Sequence, residues 1–394
     1  MKIKVCMVAG DAVDYVFSLV QALTRLGLDI ELLGGDDYEN PRYSPRVTFV
    51  NIRGSRHTKA AWHDKITRIL KYYVRLIKYV WRSDAQTVHI QAFRFAIIEG
   101  LLLVWLFKRT GKWVVYTAHN VQPKGRNHRL NQLLFRLIYM NVDHLICHSN
   151  DMKHKLMSRY QVPPDKITIA GHGLFDEIPM TWMAQEEARQ RLGLDPDIEV
   201  VLLFGRIRPY KGYELALQAL PYLSDATKPV MYVVAGEAIR SHNQKYLSEL
   251  KAHVRVNQLG EAVRFDDFRI PEADLDVYFQ AADVVLLPYT EGDFQSGVLF
   301  LAYRFGLPVI ASNVGSFPDD VVSGVQGYIF EAGNPQALAA SLDQFYQCMY
   351  PKSDLRQSIR TYTQKRYSWE QAAAVTYELY QKALRHGAPR HGEK

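Results

Sequence analysis

Cysteine is scarce in this chain of 394 residues: Cys6, Cys147 and Cys348 are too few and too scattered for a disulfide framework or a four-ligand metal site. That usage suits a reducing compartment. Long apolar runs are missing too. The most apolar stretch, 95–107 (FAIIEGLLLVWLF), holds thirteen residues including Glu99, whereas a bilayer-spanning helix needs about 20; it is expected to form a buried core helix. The opening residues MKIKVCMVAGDAVDYV lack the apolar core and small-residue cleavage site of a secretory signal. The 13 histidines form no HExxH and no Cys/His cluster, and neither a GxGxxG fingerprint nor a Walker A loop occurs. These absences argue against an integral membrane protein, a zinc protein and a dinucleotide enzyme. Low-complexity sequence is absent, and only 386–394 reads as a frayed tail.

Charge is present but unevenly spread. Residues 1–175 carry 26 Lys and Arg against 13 Asp and Glu, while the remainder carries 22 against 28. A basic half beside a mildly acidic one implies separate tasks, the first facing something anionic. Nucleic acid, anionic lipid and a phosphate-bearing substrate all fit at this level.

Short apolar runs alternate with amphipathic segments. Strands are predicted at 3–9, 30–33, 47–52, 88–91, 113–117, 144–148 and 167–170, with helical patterns between most of them, the first at 14–26. The pattern restarts with strands at 199–204, 230–235, 263–265, 284–288, 308–312 and 327–330. Helices are expected at 211–220, 241–256, 271–281, 297–305, 316–323 and 335–345. Residues 174–198, with Pro179, Gly193, Pro196 and a helical patch at 185–191, read as a linker. The fold class is therefore α/β, with two doubly wound parallel-sheet domains in tandem.

In such sheets ligands bind beyond the carboxyl ends of the strands, so the loops that follow strands are where chemistry is sought. GRIRPYKG at 205–212 joins a strand to a helix. A glycine turn, the cations Arg206 and Lys211, and a helix start suit a diphosphate; a solvated basic turn is the plain alternative. YTEGDFQSGV at 289–298 also enters a helix. Ser296 is placed to cap it, Ser296 and Gly297 to offer N–H groups to an anion, and Glu291 and Asp293 to take sugar hydroxyls. The alternative is a capped helix after an acidic loop. His119 directly follows the strand at 113–117, and His172 follows that at 167–170. Gly10 and Asp11 follow the first strand, where a glycine lets backbone approach phosphate. Asp274-Leu275-Asp276 has the form of a metal-binding DxD but lies in a helical pattern, so a solvated helix start is expected there.

The basicity of the first half concentrates in 64–82. Ile66, Ile69, Leu70, Tyr73, Val74, Ile77, Val80 and Trp81 share one face, flanked or opposed by Lys65, Arg68, Lys71, Arg75, Lys78 and Arg82. A basic amphipathic helix with interfacial aromatics reads as a membrane-surface helix, or as a domain helix with a wet basic face. No DNA- or RNA-binding motif accompanies it.

These loops, in this order, resemble the retaining nucleotide-sugar glycosyltransferases of glycosyltransferase family 4. The resemblance covers nearly the whole chain and is most specific in GRIRPYKG, ADVVLLPYTEGDFQSGV and FGLPVIASNVGSFPD. It implies the GT-B fold, two Rossmann-like domains facing across a cleft. An acceptor-binding domain at 1–178, joined by a returning helix at 369–385, would precede a donor-binding domain at 195–366. It further implies that Arg206 and Lys211 hold the donor diphosphate, that Gly10 approaches it, and that His119 lies beside the donor sugar. The family's two glutamates, eight positions apart, fall here on Asp293, with Glu291 as a rival, and on Leu301. Ribose recognition must therefore differ, and Gln295, Ser296, Gly297 and Val298 mark a variant loop. The expected activity is metal-independent transfer of a hexose from a GDP- or UDP-linked sugar to a polysaccharide or glycolipid acceptor, with retention, in the cytoplasm at the inner face of an anionic membrane. The alternatives are a GT-B sugar-nucleotide epimerase and a basic nucleic-acid-binding protein.

Overall fold

Thirteen short strands, rich in apolar residues, build two all-parallel sheets among the described residues; the near-continuous runs of Glu199–Phe204, Val230–Ala235 and Val284–Leu287 mark strands covered on both faces. The computed structural model describes residues 3–55, 62–121, 129–224, 229–293, 295–349 and 354–385, and the side chains of 62 and 65 are outside it. The tail at 386–394 lies outside the described residues. The chain divides into two units, 1–173 with 367–394 and 174–366.

Unit 1 contains β1 (Lys4–Val8), β2 (Asp29–Gly34), β3 (Val47–Asn51), β4 (Thr87–Ile90), β5 (Trp113–Thr117), β6 (His144–Cys147) and β7 (Ile167–Ile169), in the order β3-β2-β1-β4-β5-β6-β7. Its helices are α1 (Val13–Arg25), α2 (Trp62–Arg82), α3 (Val104–Arg109), α4 (Arg129–Asn141) and α5 (Asn150–Tyr160), and α14 (Trp369–Arg385) joins them from the far end of the sequence. Alternation along β1 sends Cys6 and Val8 into one core, with Phe107 and Tyr139, and Val5 and Met7 into the other, with Leu19, Trp369 and Tyr380.

Unit 2 follows with α6 (Gln185–Leu192), β8 (Glu199–Phe204), α7 (Tyr213–Ala219), β9 (Val230–Ala235), α8 (Ser241–Val256), β10 (Val263–Asp266), α9 (Leu275–Ala281) and β11 (Val284–Leu287). Then come α10 (Gly297–Arg304), β12 (Val309–Ser312), α11 (Phe317–Asp320), β13 (Gly327–Phe330), α12 (Pro335–Cys348) and α13 (Leu355–Arg366), with the sheet ordered β10-β9-β8-β11-β12-β13. Strand order reverses between β1 and β4 in unit 1 and between β8 and β11 in unit 2. These are the switch points where doubly wound sheets bind ligands.

The structure corrects several expectations. Residues 174–198 are no free linker: Arg189 of α6 is buried, donating to Asp283 Oδ2 (2.6 Å) and to the Ala281 carbonyl (3.1 Å). Asp276 is not solvated either; it is buried and accepts from the Thr181 N–H (2.8 Å) and hydroxyl, pinning this segment to α9. Residues 95–107 are not a buried helix. A π-helical turn at Ile98–Leu103 runs into α3, seated by Gly100, where a Cβ would lie 2.5 Å from Ile138, and by buried Glu99. Phe95, Ile97, Ile98, Leu102 and Trp105 remain exposed.

Candidate active site

Both loops singled out in the second half flank the unit 2 switch point. After β8, Gly205 turns with φ +101°, a conformation glycine adopts without penalty. Residues Pro209–Lys211 form a single 3-10 turn, so α7 starts at Tyr213 rather than at 211. Gly212 (φ +70°) lies so close to β11 that a Cβ would fall 1.7 Å from the Pro288 carbonyl oxygen. The start of α7 offers less than expected, because the Glu214 N–H is already taken by the Tyr246 hydroxyl oxygen at 3.3 Å. Arg206 is exposed, whereas Lys211 is 7% exposed. The Lys211 ammonium donates to the Phe204 carbonyl (3.0 Å), lies 5.6 Å from the Tyr289 ring centroid, and sits 2.6 Å from where a Gly205 Cβ would be. This is not a solvated basic turn: it is a built loop with one cation beneath it and one above.

The loop after β11 is tied to the first by the Thr290 N–H, which donates to the Tyr210 carbonyl at 2.8 Å. Val298 closes on Gly205, 3.5 Å from the position of its absent Cβ. Ser296 occupies the N-cap position of α10 but makes no side-chain cap; its buried hydroxyl pairs with that of Tyr289 at 3.1 Å. Gln295 is partly buried, its amide nitrogen 3.5 Å from Asp320 Oδ2 and its oxygen buried without a partner among the described residues. Glu291 is exposed, Asp293 half-buried and Gly297 exposed; Leu301 is buried in α10. Arg206, Lys211, Gln295, Ser296, Gly297 and Val298 thus gather at one edge of unit 2.

In unit 1, Gly10 stands where a Cβ would come 2.6 Å from Ala92 Cβ, so the loops after β1 and β4 touch. His119, partly buried after β5, belongs to a network the sequence reading missed. The Ala170 carbonyl, 2.9 Å from His148 Nδ1, fixes the proton on that nitrogen. Burial holds His148 down to about 4 and His119 well below the usual histidine range, with neighbouring histidines adding to the latter. Both rings are therefore neutral at pH 7. His148 Nε2 accepts from His119 Nδ1 at 3.1 Å, leaving a lone pair on His119 Nε2, 3.1 Å from the Gln91 amide. The network closes when the Gln91 nitrogen faces His119 and its oxygen faces His89 Nε2, 3.3 Å from the amide. His89 is bonded to Thr117 Oγ1 (2.7 Å) and to the Tyr380 hydroxyl (2.5 Å), and burial lowers it to about 3. Tyr15 presses edge-on against His119, ring centroids 4.7 Å apart. In this arrangement the His119 N–H is given to His148, and Nε2 is left as an acceptor. Gln91 was findable, since it follows β4 as His119 follows β5.

Among the described residues no group of three or more His, Cys, Asp and Glu side chains is placed to hold a metal ion.

Comparison with known proteins follows the same division. Residues 12–175 match Glycosyltransferase Family 4 and residues 184–366 match Glycosyl transferases group 1. The D-inositol 3-phosphate glycosyltransferase of Corynebacterium glutamicum is 26% identical over 399 residues, covering 94% of this chain and 91% of that one. The enzyme of that name from Segniliparus rotundus is 29% identical over 403 residues, covering 96% and 86%. Among solved structures, sucrose-phosphate synthase from Thermosynechococcus elongatus superposes with a TM-score of 0.71 at 18% identity, covering 98% of this chain and 100% of that one. Anabaena HepE in complex with UDP gives 0.74 at 16% identity, covering 97% and 100%. With two Rossmann-like units and a matched family domain in each, the chain belongs to the family 4 glycosyltransferases of GT-B fold.

Proposed function

We propose that this glycosyltransferase moves a hexose from a nucleoside diphosphate sugar to a saccharide or glycolipid acceptor, with retention of anomeric configuration and without a metal. The observation that carries the reading is the pairing of the two loops at the unit 2 switch point, joined by Thr290 and Tyr210. Arg206 offers a fork to phosphate oxygens from the solvent side. Lys211 offers a point charge whose surroundings of carbonyl, glycine and Tyr289 ring strengthen it by excluding water. Charge that builds on the leaving diphosphate meets these cations already in place, which is how preorganised sites lower barriers. Glu291 and Asp293 take hydroxyls of the transferred sugar, and Gln295, through its unpaired oxygen, accepts from the donor. Unit 1 takes the acceptor. There His119 Nε2 accepts from a hydroxyl that replaces the Gln91 amide, while His148 holds the ring. HepE structures with UDP and UDP-glucose, and curated relatives named for a cyclitol phosphate, support a nucleotide-sugar donor and a small polyol-type acceptor.

A membrane-surface role is part of the proposal. On α2, Leu76 and Val80 pack inward while Ile66, Leu70, Val74 and Trp81 stay exposed beside exposed Lys71, Arg75, Lys78 and Arg82. The π-helical turn and α3 add Ile98, Leu102 and Trp105, and α4, packed on that turn, adds Leu130, Leu133 and Leu137. Exposed apolar side chains on packed neighbouring elements, accompanied by cations on α2, fit the interface of an anionic bilayer. No described helix is long and apolar enough to cross one.

The test is a thermal-shift panel of GDP, UDP, ADP and their sugars, followed by NMR of the product's anomeric centre. Ligands that bind the folded state raise its melting temperature by mass action. Stabilisation by none of them would refute the donor reading, and an inverted product would refute retention.

A further inference from the structure

The switch point of unit 1 holds a cavity of about 440 Å³ that the donor chemistry does not use. Three guanidinium groups line it, each from a different segment: Arg53 after β3, Arg68 on α2, and Arg94 after β4. Arg53 is the deepest, its side chain 12% exposed. Among the described residues its Nη2 makes only long contacts, 3.4 Å to the Gly10 carbonyl and 3.5 Å to Asp37 Oδ1, and its Nε is buried with no hydrogen-bond partner. A buried guanidinium N–H without an acceptor is costly, so the site is built for an acceptor that arrives from outside. Arg68 is braced by its Nη2 donating to the Ser55 carbonyl. Two carboxylates offset part of this charge: Asp37 Oδ1 lies 3.5 Å from Arg53 Nη2, and Glu99 acts on Arg94. Glu99 is buried and spends its oxygens on the Tyr73 hydroxyl (2.9 Å) and the Arg94 backbone N–H, which hold the loop after β4. Asp11 lies exposed on the rim. The Tyr72 hydroxyl lies in the field of Glu99 as well as of Arg53 and Arg94.

We propose that this cavity is a phosphate site: Arg53, Arg68 and Arg94 grip a phosphoryl group carried by the acceptor, so the enzyme glycosylates a phosphorylated molecule. A carboxylate fills one guanidinium fork, whereas a tetrahedral oxyanion offers oxygens to several forks approaching from different sides. The assignment of the occupant as acceptor rests on the function proposed above; the anion site itself does not. Phosphate on a soluble sugar and phosphate in a lipid headgroup share the chemistry, and the experiment separates them.

Calorimetric titration of the full-length protein with inorganic phosphate, against acetate at equal ionic strength, tests the site directly. Phosphate is expected to bind and acetate not. Arg53→Gln and Arg68→Gln should each weaken phosphate at least tenfold, Arg53→Lys should fall between, and Arg206→Ala, which reports any phosphate held by the donor loop, should leave this binding event in place. Should Arg53→Gln lose the unit 1 melting transition, Arg68→Gln and Arg94→Gln, the second at an exposed position, carry the test. Competition by a hexose 6-phosphate identifies a soluble acceptor; Arg53-dependent binding to phosphatidic acid vesicles over phosphatidylcholine identifies a lipid one. Equal binding of acetate, phosphate binding indifferent to Arg53 and Arg68, or failure of both phosphorylated probes would overturn the proposal. Nucleotide binding by the unaltered protein is measured alongside. Its loss with phosphate binding intact would remove the transferase reading and leave the anion site standing.

Discussion

Lys211→Met separates charge from packing at the donor loop. The stem of Lys211 is 7% exposed and its ammonium is bonded to the Phe204 carbonyl at 3.0 Å. Methionine keeps most of that volume and removes the charge. A hydrogen bond to a charged group contributes about 1.5–3 kcal/mol, which at about 1.4 kcal/mol per decade converts to a roughly 10- to 150-fold loss in affinity for the nucleoside diphosphate. Lys211→Ala should lose the same affinity and stability besides. Three buried methylenes at about 0.8 kcal/mol each come to about 2.4 kcal/mol. For a unit of this size that lowers the melting temperature by roughly 5–10 °C. Arg206→Ala, at an exposed position, should reproduce the affinity loss with the melting temperature unchanged. Titration calorimetry with the nucleotide selected by the thermal-shift panel, and scanning calorimetry of all three variants, read both quantities. If Lys211→Met bound nucleotide like the parent while Lys211→Ala did not, the lysine would be a packing residue and the diphosphate assignment would fall.

Asp283→Ala should strand the buried Arg189 guanidinium, costing about 3–5 kcal/mol, with much of the loss recovered by Asp283→Leu combined with Arg189→Met; an unchanged unit 2 transition would contradict this. Burial lowers His89 and His172 to about 3 and His148 to about 4; a histidine held below its free value stabilises fully above pH 6.5, and that stability drains as pH falls toward 4. Each costs about 1.4 kcal/mol by pH 5.5, so a unit 1 melting temperature flat between pH 7 and 5 would refute the neutral network. Changing Lys71, Arg75 and Lys78 to Gln should weaken binding to anionic vesicles by about 1 kcal/mol per residue, and a parent protein that ignores such vesicles at low salt would sink the membrane reading. EDTA should leave the transfer rate unchanged, because fixed cations neutralise the leaving group; an obligatory divalent ion would reverse that.

The strands Trp113–Thr117, Glu199–Phe204, Val230–Ala235 and Gly327–Phe330 lie at the residues that periodicity assigns, because a strand buried on both faces leaves an unbroken apolar signature. Polar segments hide better. Helix α13 buries Ile359 and Thr363 and is anchored by Arg356 on the carbonyls of Gln280 and Ala282, a tertiary arrangement that no periodicity records. The same holds for the π-helical turn, which depends on Gly100 meeting Ile138. Of the candidate site, the loops after β8 and β11 were readable as cation- and glycine-rich strand exits. The bonding that links His89, Gln91, His119 and His148 was not, since they sit on or just after three different strands and meet only when the sheet aligns β4, β5 and β6. Arg53 looked like one cation among 26 and became distinctive only through burial.

Helix α14 gives the chain an order of completion. Unit 2 is continuous, but unit 1 is split, with Trp369, Ala372, Ala373, Leu379 and Tyr380 completing a core whose other buried members lie between Ile3 and Ala170. During synthesis the ribosome therefore delivers all of unit 2 before unit 1 can close. The hydroxyl that anchors His89 arrives last of all, 291 positions after its partner. A nascent chain stalled ahead of α14 would carry a finished unit 2 and an open unit 1, with the histidine network untethered at its far end. Chaperone demand should therefore fall on the half that was made first.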